Sequence, residues 1–135
     1  MPNVGILIVD DDYASRLLIS KILEKEKYDL VQASNGFDAL TQLRKKSYDL
    51  MISDLRMEGM NGIELLQKAR QIHPTLAVII LTGHASMQTA IDAVRLGAID
   101  YLMKPINSDE LLIRVKKAVE RVQLEKRLSE IERQM

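Results

Sequence analysis

Five short apolar runs alternate along the chain with longer segments in which apolar residues recur every three or four positions. The runs are rich in β-branched or aromatic residues, which is typical of strands, and the first is apolar enough to be buried on both faces. The spacing of three and four, as in Leu18 and Ile22, predicts one face of a helix. The predicted strands are Val4–Val9, Tyr28–Val31, Leu50–Ser53, Ala77–Leu81 and Ile99–Met103.

Capping residues mark where several of the helices begin and end. Asp12 precedes the first helix and Asn61 the third, while Asn107 with a glutamate three residues later suits the start of the last. Pro74 ends the third helix, because proline disfavours a helical conformation in the residue before it. Five strands alternating with five helices predict a doubly wound α/β fold, in which helices flank both faces of a parallel five-stranded sheet.

The last helix is expected to extend beyond the sheet. Its first apolar row would pack on the sheet, and a second row of the same spacing follows in a shifted phase. Fewer than two heptads follow the shift, whereas about three to four are needed to predict a coiled coil. A solvated helix end and a seam that pairs with a second copy of the chain both stay open. The residues of the second row are Leu124, Leu128, Ile131 and Met135.

Composition narrows the class of protein. A chain of 135 residues, 47% of them apolar, suits one globular domain with a hydrophobic core. Nineteen basic and nineteen acidic side chains cancel, so we expect no direct binding of nucleic acid. The absence of cysteine excludes thiolate metal sites, and no apolar run approaches the ~20 residues that cross a bilayer. Without a signal-peptide pattern at the start, we expect a cytoplasmic protein with no membrane partner.

Polar side chains follow four of the predicted strands, at the edge where ligands bind in parallel sheets. A cluster of carboxylates there is costly unless a cation neutralises it, and oxygen ligands suit Mg²⁺. Asp54 could act as a nucleophile that forms an acyl phosphate, while Lys104 and the hydroxyl of Thr82 neutralise the phosphoryl oxygens. Any one of these residues would more often be a cap, a turn residue or a surface charge. Their joint placement favours chemistry, with the acidic stations at Asp10, Asp11, Asp12 and Asp54.

These segments resemble the response regulator receiver domain of two-component signalling, of the CheY-like superfamily, over roughly Val4 to Val122. The resemblance implies a flavodoxin-like fold and an acidic pair, Asp10 and Asp11, of which Asp11 contacts Mg²⁺ directly. The similar segments are Ile6-Leu7-Ile8-Val9-Asp10-Asp11-Asp12, Asp54-Leu55-Arg56-Met57 with Gly62, Leu81-Thr82-Gly83, and Gly97-Ala98-Ile99-Asp100-Tyr101-Leu102-Met103-Lys104-Pro105.

The same resemblance implies a role for each site residue. Asp54 is the phosphoacceptor and a metal ligand, Lys104 binds the phosphoryl group, and Thr82 and Tyr101 move inward on activation. The backbone carbonyl of Arg56 is a further Mg²⁺ ligand. On the residues alone, Tyr101 would more often be a half-buried strand residue.

Further details of the site follow from the resemblance. Arg56 and His84 flank the entrance and modulate hydrolysis of the acyl phosphate, and the peptide bond between Lys104 and Pro105 is cis. Glu58 stands where the family usually has proline, which bears on the rigidity of that loop and leaves the chemistry as expected.

The sequence thus predicts a receiver domain over residues 1–122 and a helical extension over residues 123–135, interpreted as a linker to an output domain outside this chain. A sensor histidine kinase or phosphotransfer protein would supply the phosphoryl group, and a second copy of the chain is a further expected partner. The chain would catalyse only its own phosphotransfer and dephosphorylation. A Mg²⁺-dependent phosphohydrolase is the alternative, but it would need an acid or base where Arg56 stands. An interaction module that takes no phosphate is the third reading.

Overall fold

The structure is a computed structural model that describes residues 3–83 and 87–134. The predicted alternation of strands and helices is confirmed. The strands are β1 (Val4–Val9), β2 (Tyr28–Ala33), β3 (Leu50–Asp54), β4 (Ala77–Thr82) and β5 (Asp100–Met103). The helices are α1 (Tyr13–Leu23), α2 (Gly36–Lys45), α3 (Gly62–Ile72), α4 (Met87–Arg95) and α5 (Ser108–Gln134).

All five strands pair in parallel, in the order β2-β1-β3-β4-β5, which confirms the doubly wound fold. Two strands run one residue further than the sequence predicted, so that Asp54 and Thr82 are themselves the last strand residues. Asp54 belongs to β3 because it pairs in register with Leu81 of β4. The backbone N–H of the next residue, Leu55, also donates to the carbonyl of Leu81, at 2.9 Å. These two predicted site residues are therefore held by the sheet itself.

Alternate residues of the central strands face opposite layers of helices. In β1, Leu7 and Val9 pack in one cluster with side chains of α2, α3 and α4. Ile6 and Ile8 pack in a second cluster with side chains of α1 and α5. Burial on both faces explains why the first strand reads as an unbroken apolar run.

Asparagine and aspartate caps begin the helices where the sequence predicted them. Asp12, Asn61 and Asn107 each accept a hydrogen bond from a backbone N–H in the first turn, at 3.3, 2.9 and 3.0 Å. Asn35 caps α2 in the same way at 2.8 Å, which the sequence analysis did not predict. As predicted, α3 ends before Pro74. These caps satisfy N–H groups that the helix itself leaves without partners.

The last helix is a single element of 27 residues that continues past the body of the domain. Its buried residues end at Val122, and every described side chain from residue 123 to residue 134 is exposed. The division into a receiver domain and an extension after residue 122 stays a prediction. Within the described ranges, no helix combines the length and apolar character needed to span a membrane.

Candidate functional site

The carboxyl ends of β1, β3 and β5 bring three predicted site residues into direct contact. The ammonium of Lys104 lies 3.0 Å from Oδ2 of Asp10 and 3.3 Å from Oδ2 of Asp54. Asp10 is fully buried and Asp54 is 8% exposed. One cation therefore bridges two buried carboxylates at the edge of the sheet where parallel sheets bind ligands.

Asp10 is held by further contacts. Its Oδ1 accepts the backbone N–H of Asp12 at 2.9 Å, and its backbone carbonyl accepts a hydrogen bond from the guanidinium of Arg16 at 2.6 Å. The contact of Arg16 with Asp10 was not predicted from the sequence. A cation in the first turn after an acidic run was the signal available for it.

Three carboxylates lie close enough together to share one cation. Oxygen atoms of Asp10, Asp11 and Asp54 all lie within 4.8 Å of one another. Lys104 supplies only one positive charge to this group, and Asp11 is exposed at the mouth of a cleft. Oxygen ligands alone, partly open to solvent, are the donor set that Mg²⁺ prefers, so these residues suit the ion that the sequence predicted.

Burial shifts the ionisation of the bridged pair. Burial raises the pKa of the Asp54 carboxyl, and the charge of Asp10 raises it further, against the opposing effect of Lys104. Burial alone would lower the pKa of Lys104, but its hydrogen bond and ion pair with Asp10, together with the charge of Asp54, outweigh burial and raise it. The lysine therefore remains an ammonium. An additional cation near Asp54 would stabilise the ionised form of its carboxylate.

Gly62, the first residue of α3, lies directly against the backbone of Asp54 and Leu55. Its N–H donates to the carbonyl of Leu55 at 2.8 Å. A Cβ atom at this position would lie 2.6 Å from the backbone oxygen of Asp54 and 2.8 Å from the Cα of Leu55, both in the backbone and unable to yield cheaply. The glycine therefore allows the start of α3 to pack against the end of β3.

Thr82 and Tyr101 lie on the neighbouring strands. The Thr82 hydroxyl is almost fully buried and donates to the carbonyl of Gly83 at 3.1 Å. The carbonyl of Thr82 accepts the N–H of Lys104 at 2.7 Å, which joins the ends of β4 and β5. Tyr101 is half-buried and packs against the cluster between the sheet and α2, α3 and α4. Its inward movement stays a prediction.

A cleft of about 460 Å³ opens beside Asp11. Arg56 and Glu58 line it from the loop after β3, and Thr89 lines it from α4, a residue that the sequence analysis did not single out. The predicted modulator His84 lies outside the described residues. The predicted cis peptide between Lys104 and Pro105 is confirmed, and Asp12 is the cap of α1.

Comparisons with known proteins agree with this arrangement. A family model described as the response regulator receiver domain matches residues 6–116. The transcriptional regulatory protein ZraR of Klebsiella oxytoca is 37% identical over 122 residues, which are 90% of this chain and 28% of that protein. Sporulation initiation phosphotransferase F of Bacillus subtilis is 38% identical over 117 residues, which are 87% of this chain and 94% of that protein.

A solved receiver domain from Clostridium thermocellum superimposes with a TM-score of 0.85 at 33% identity, over 90% of this chain and 98% of that one. The chain spans about a quarter of the length of the ZraR relatives and nearly the whole length of the sporulation phosphotransferase. The likeness therefore concerns one domain.

Proposed function

Because the chain belongs to the response regulator receiver domain family, we propose that Asp54 accepts a phosphoryl group and that the protein signals through the resulting change of surface. Receiver domains take phosphoryl groups from histidine kinases or phosphotransfer proteins and are not turnover enzymes in the usual sense. For this chain, the phosphohistidine of a sensor histidine kinase or of a phosphotransfer protein is the proposed donor.

The bridge from Lys104 to Asp10 and Asp54 is the observation that carries the proposal. An ammonium 3.3 Å from the nucleophilic carboxylate is in reach of the oxygens of a group that becomes attached there. In phosphoryl transfer, catalysis consists mostly of positioning and of neutralising charge on those oxygens. Lys104 does both for Asp54, and Asp10 holds Lys104 in place.

The transfer itself needs few protein groups. One carboxylate oxygen of Asp54 forms a bond to phosphorus as the bond from phosphorus to the imidazole nitrogen of the donor breaks, and the imidazole keeps that electron pair. Asp54 must be ionised to attack. Burial and the charge of Asp10 raise its pKa, whereas the positive charge of Lys104 opposes them and favours the ionised state.

Asp10, Asp11 and Asp54, with the backbone carbonyl of Arg56, are the proposed Mg²⁺ ligands. When bound, Mg²⁺ neutralises charge on the carboxylates and on the phosphoryl oxygens. The support for this set is the closeness of the three carboxylates and the shared cleft that Asp11 and Arg56 line.

The remaining site residues are assigned as the family resemblance implies. Thr82 would leave the carbonyl of Gly83 and donate its hydroxyl to the phosphoryl group, and Tyr101 would turn inward behind it. Arg56 and His84 would modulate hydrolysis of the acyl phosphate, which the chain would catalyse by itself. These movements reshape the surface formed by α4, β5 and α5.

Intact-mass measurement after treatment with acetyl phosphate and Mg²⁺ tests the assignment. The parent gains the mass of one phosphoryl group, while Asp54→Asn keeps its fold by circular dichroism and gains none. Asp12→Asn is the matched control, because asparagine caps a helix as well as aspartate does and the residue lies outside the proposed site. A mass gain in Asp54→Asn equal to that of the parent would refute Asp54 as the acceptor.

The mass gain and an assay of phosphate release from phosphate esters together separate the alternatives. A phosphohydrolase would release phosphate from esters in many turnovers, and an interaction module would gain no mass. Pairing with a second copy, a cytoplasmic location and the absence of nucleic-acid binding remain predictions. Of these, pairing has the clearest structural support, in the exposed apolar residues of the α5 extension.

A further inference from the structure

The part of α5 beyond Val122 carries a row of exposed apolar side chains, here called the tail seam. Leu124, Leu128 and Ile131 are 57%, 51% and 53% exposed. Met135, predicted to continue the row, lies outside the described residues. An apolar row of this spacing beyond the last buried residue of its helix could be covered by a partner.

The tail seam faces away from the body of the domain. At ~100° per residue, it lies roughly 160° around the helix from the row that packs on the sheet. That buried row consists of Leu111, Val115, Ala118, Val119 and Val122. The change of face expected from the sequence is therefore nearly a full reversal, and the body cannot cover the tail seam without a turn of the helix.

An ion pair opposes such a turn. The ammonium of Lys126 binds Oδ1 of Asp49, whose Oδ2 accepts the N–H of Gly5 at 2.9 Å. Asp49 is 17% exposed in its side chain and stands just before β3. At ~100° per residue, Lys126 falls on the same side of α5 as the buried row. The pair thus holds the polar side of the extension toward the body and leaves the tail seam outward.

Two opposite charges flank the tail seam. If its residues are the alternating d and a positions of a heptad, Arg127 is a g position and Glu132 is the e position five residues on. Parallel helices bring g of one chain beside the next e of the other, which here pairs arginine with glutamate. Antiparallel helices bring e beside e, which would place Glu125 or Glu132 against a glutamate of the second copy.

One heptad earlier, parallel pairing would bring Glu120 near Glu125 of the second copy. Arg121 offsets this repulsion, because its Nε binds Oε1 of Glu125 in the same helix at 3.2 Å. Favourable pairing therefore begins at Leu124, beyond the last buried residue of α5, Val122.

We propose that a second copy of the chain covers the tail seam in parallel orientation, with Arg127 of each copy bound to Glu132 of the other. The inference rests on the homodimer proposed above and adds its geometry. The two receiver bodies then lie at the same end of the pair, with their phosphorylation sites on separate sheets.

Charge exchange tests the orientation. Arg127→Glu and Glu132→Arg each place like charges across the seam, so each raises the dissociation constant of the dimer roughly three- to tenfold at low salt. The double variant restores the parent value. Residues 127 and 132 lie roughly 140° apart on their own helix, so this restoration cannot come from within one chain. Arg133→Glu, the same change on the body-facing side, is the matched control and leaves the constant unchanged in sedimentation equilibrium.

Oxidative crosslinking gives a second measurement, because the chain contains no cysteine of its own. Leu124→Cys forms a disulfide with itself in a parallel pair, whereas a mixture of Leu128→Cys and Ile131→Cys forms mixed disulfides in an antiparallel pair, in which a positions face d positions. Predominantly mixed disulfides, or single charge variants that bind as tightly as the parent, would overturn the parallel orientation. A parent that stays monomeric at millimolar concentration would overturn the pairing altogether. Neither result affects the mass gain at Asp54, which is measured on the same samples.

Discussion

At the residue scale, the candidate site places the negative charges of three carboxylates close to the positive charge of the Lys104 ammonium. Asp10, Asp11 and Asp54 were placed together from the sequence because the carboxyl ends of parallel strands share one edge of the sheet. The ammonium of Lys104 lies between two of them, and its phosphoryl-binding role stays a prediction. The hydrogen bond from Arg16 to the carbonyl of Asp10 was not predicted, because it depends on how α1 is oriented.

Asp11→Asn should stabilise the fold when metal is absent. Removing one of three repelling carboxylates relieves unfavourable charge, so the melting temperature in EDTA is expected to rise by about 2–4 °C for a chain of this size. The parent should gain more from millimolar Mg²⁺ than the variant, because binding to the native state stabilises it. Differential scanning calorimetry in both buffers measures the two effects. Equal responses of the two proteins to Mg²⁺ would show that Asp11 is not a ligand.

Lys104→Met should have the opposite effect on stability. It leaves the buried carboxylates of Asp10 and Asp54 without their cation, and we expect a loss of about 2–3 kcal/mol in metal-free buffer at neutral pH. This is less than for a fully enclosed pair, because the Lys104 side chain is 29% exposed.

The loss caused by Lys104→Met should shrink as the pH falls. Burial already raises the pKa of Asp54, and removing Lys104 raises it further. As the pH falls, Asp54 of the folded variant therefore takes up a proton before Asp54 of the unfolded chain does, which removes the unpaired buried charge and restores stability. Urea unfolding at about pH 7 and about pH 5 measures the difference. A loss that is the same at both values would mean that packing, rather than charge, links Lys104 to stability.

At the scale of the element, the alternation of strand and helix patterns and the capping residues were sufficient to predict most of the fold. Burial of β1 on both faces, and the caps at Asn61 and Asn107, followed from local pattern and were confirmed. The ends of β3 and β4 were placed one residue short, because Asp54 and Thr82 read as polar loop residues while long-range pairing keeps them in the sheet. Pairing between distant strands is not visible in a local pattern.

Gly62→Ala should disturb the end of β3 through α3. The added Cβ would meet the backbone of Asp54 and Leu55 at less than 3 Å, so the loop must move, at a cost of about 1–3 kcal/mol. We also expect slower phosphorylation of Asp54, because its position shifts. Urea unfolding and the rate of mass gain measure the two effects. Gly83→Ala is the control for stability, since its Cβ would meet nothing within 4 Å, and an equal loss in both variants would contradict the steric explanation.

At the scale of the whole molecule, α5 packs on the sheet that carries the candidate site and continues into the extension. Arg114 binds both oxygens of Asp100 at 2.7 and 2.8 Å, and Lys116 pairs with Glu26 at 3.4 Å. The apolar rows of this helix were readable from the sequence. The ion pair between Lys126 and Asp49 was not, because its partners are 77 positions apart.

Truncation after Val122 should abolish pairing. The chain that keeps the tail seam is expected to dimerise, and beryllofluoride, which mimics the phosphoryl group, should strengthen or rearrange that dimer. Light scattering on both lengths, each with and without beryllofluoride, measures this. Monomers in all four samples would refute the homodimer, and a dimer that survives truncation would place the interface on the receiver body.

The length of α5 gives the extension the geometry of a lever. From Val122 to Gln134 the helix continues for 12 residues, or ~18 Å at 1.5 Å per residue. A tilt of about 10° at the packed half displaces the far end by roughly 3 Å, more than half the rise of one helical turn. The contact between Lys126 and Asp49 lies about a third of the way along this arm and ties the first part of the extension to the body. A small change in packing at the sheet is thus enlarged at the far end of the extension, where the proposed second copy would pack.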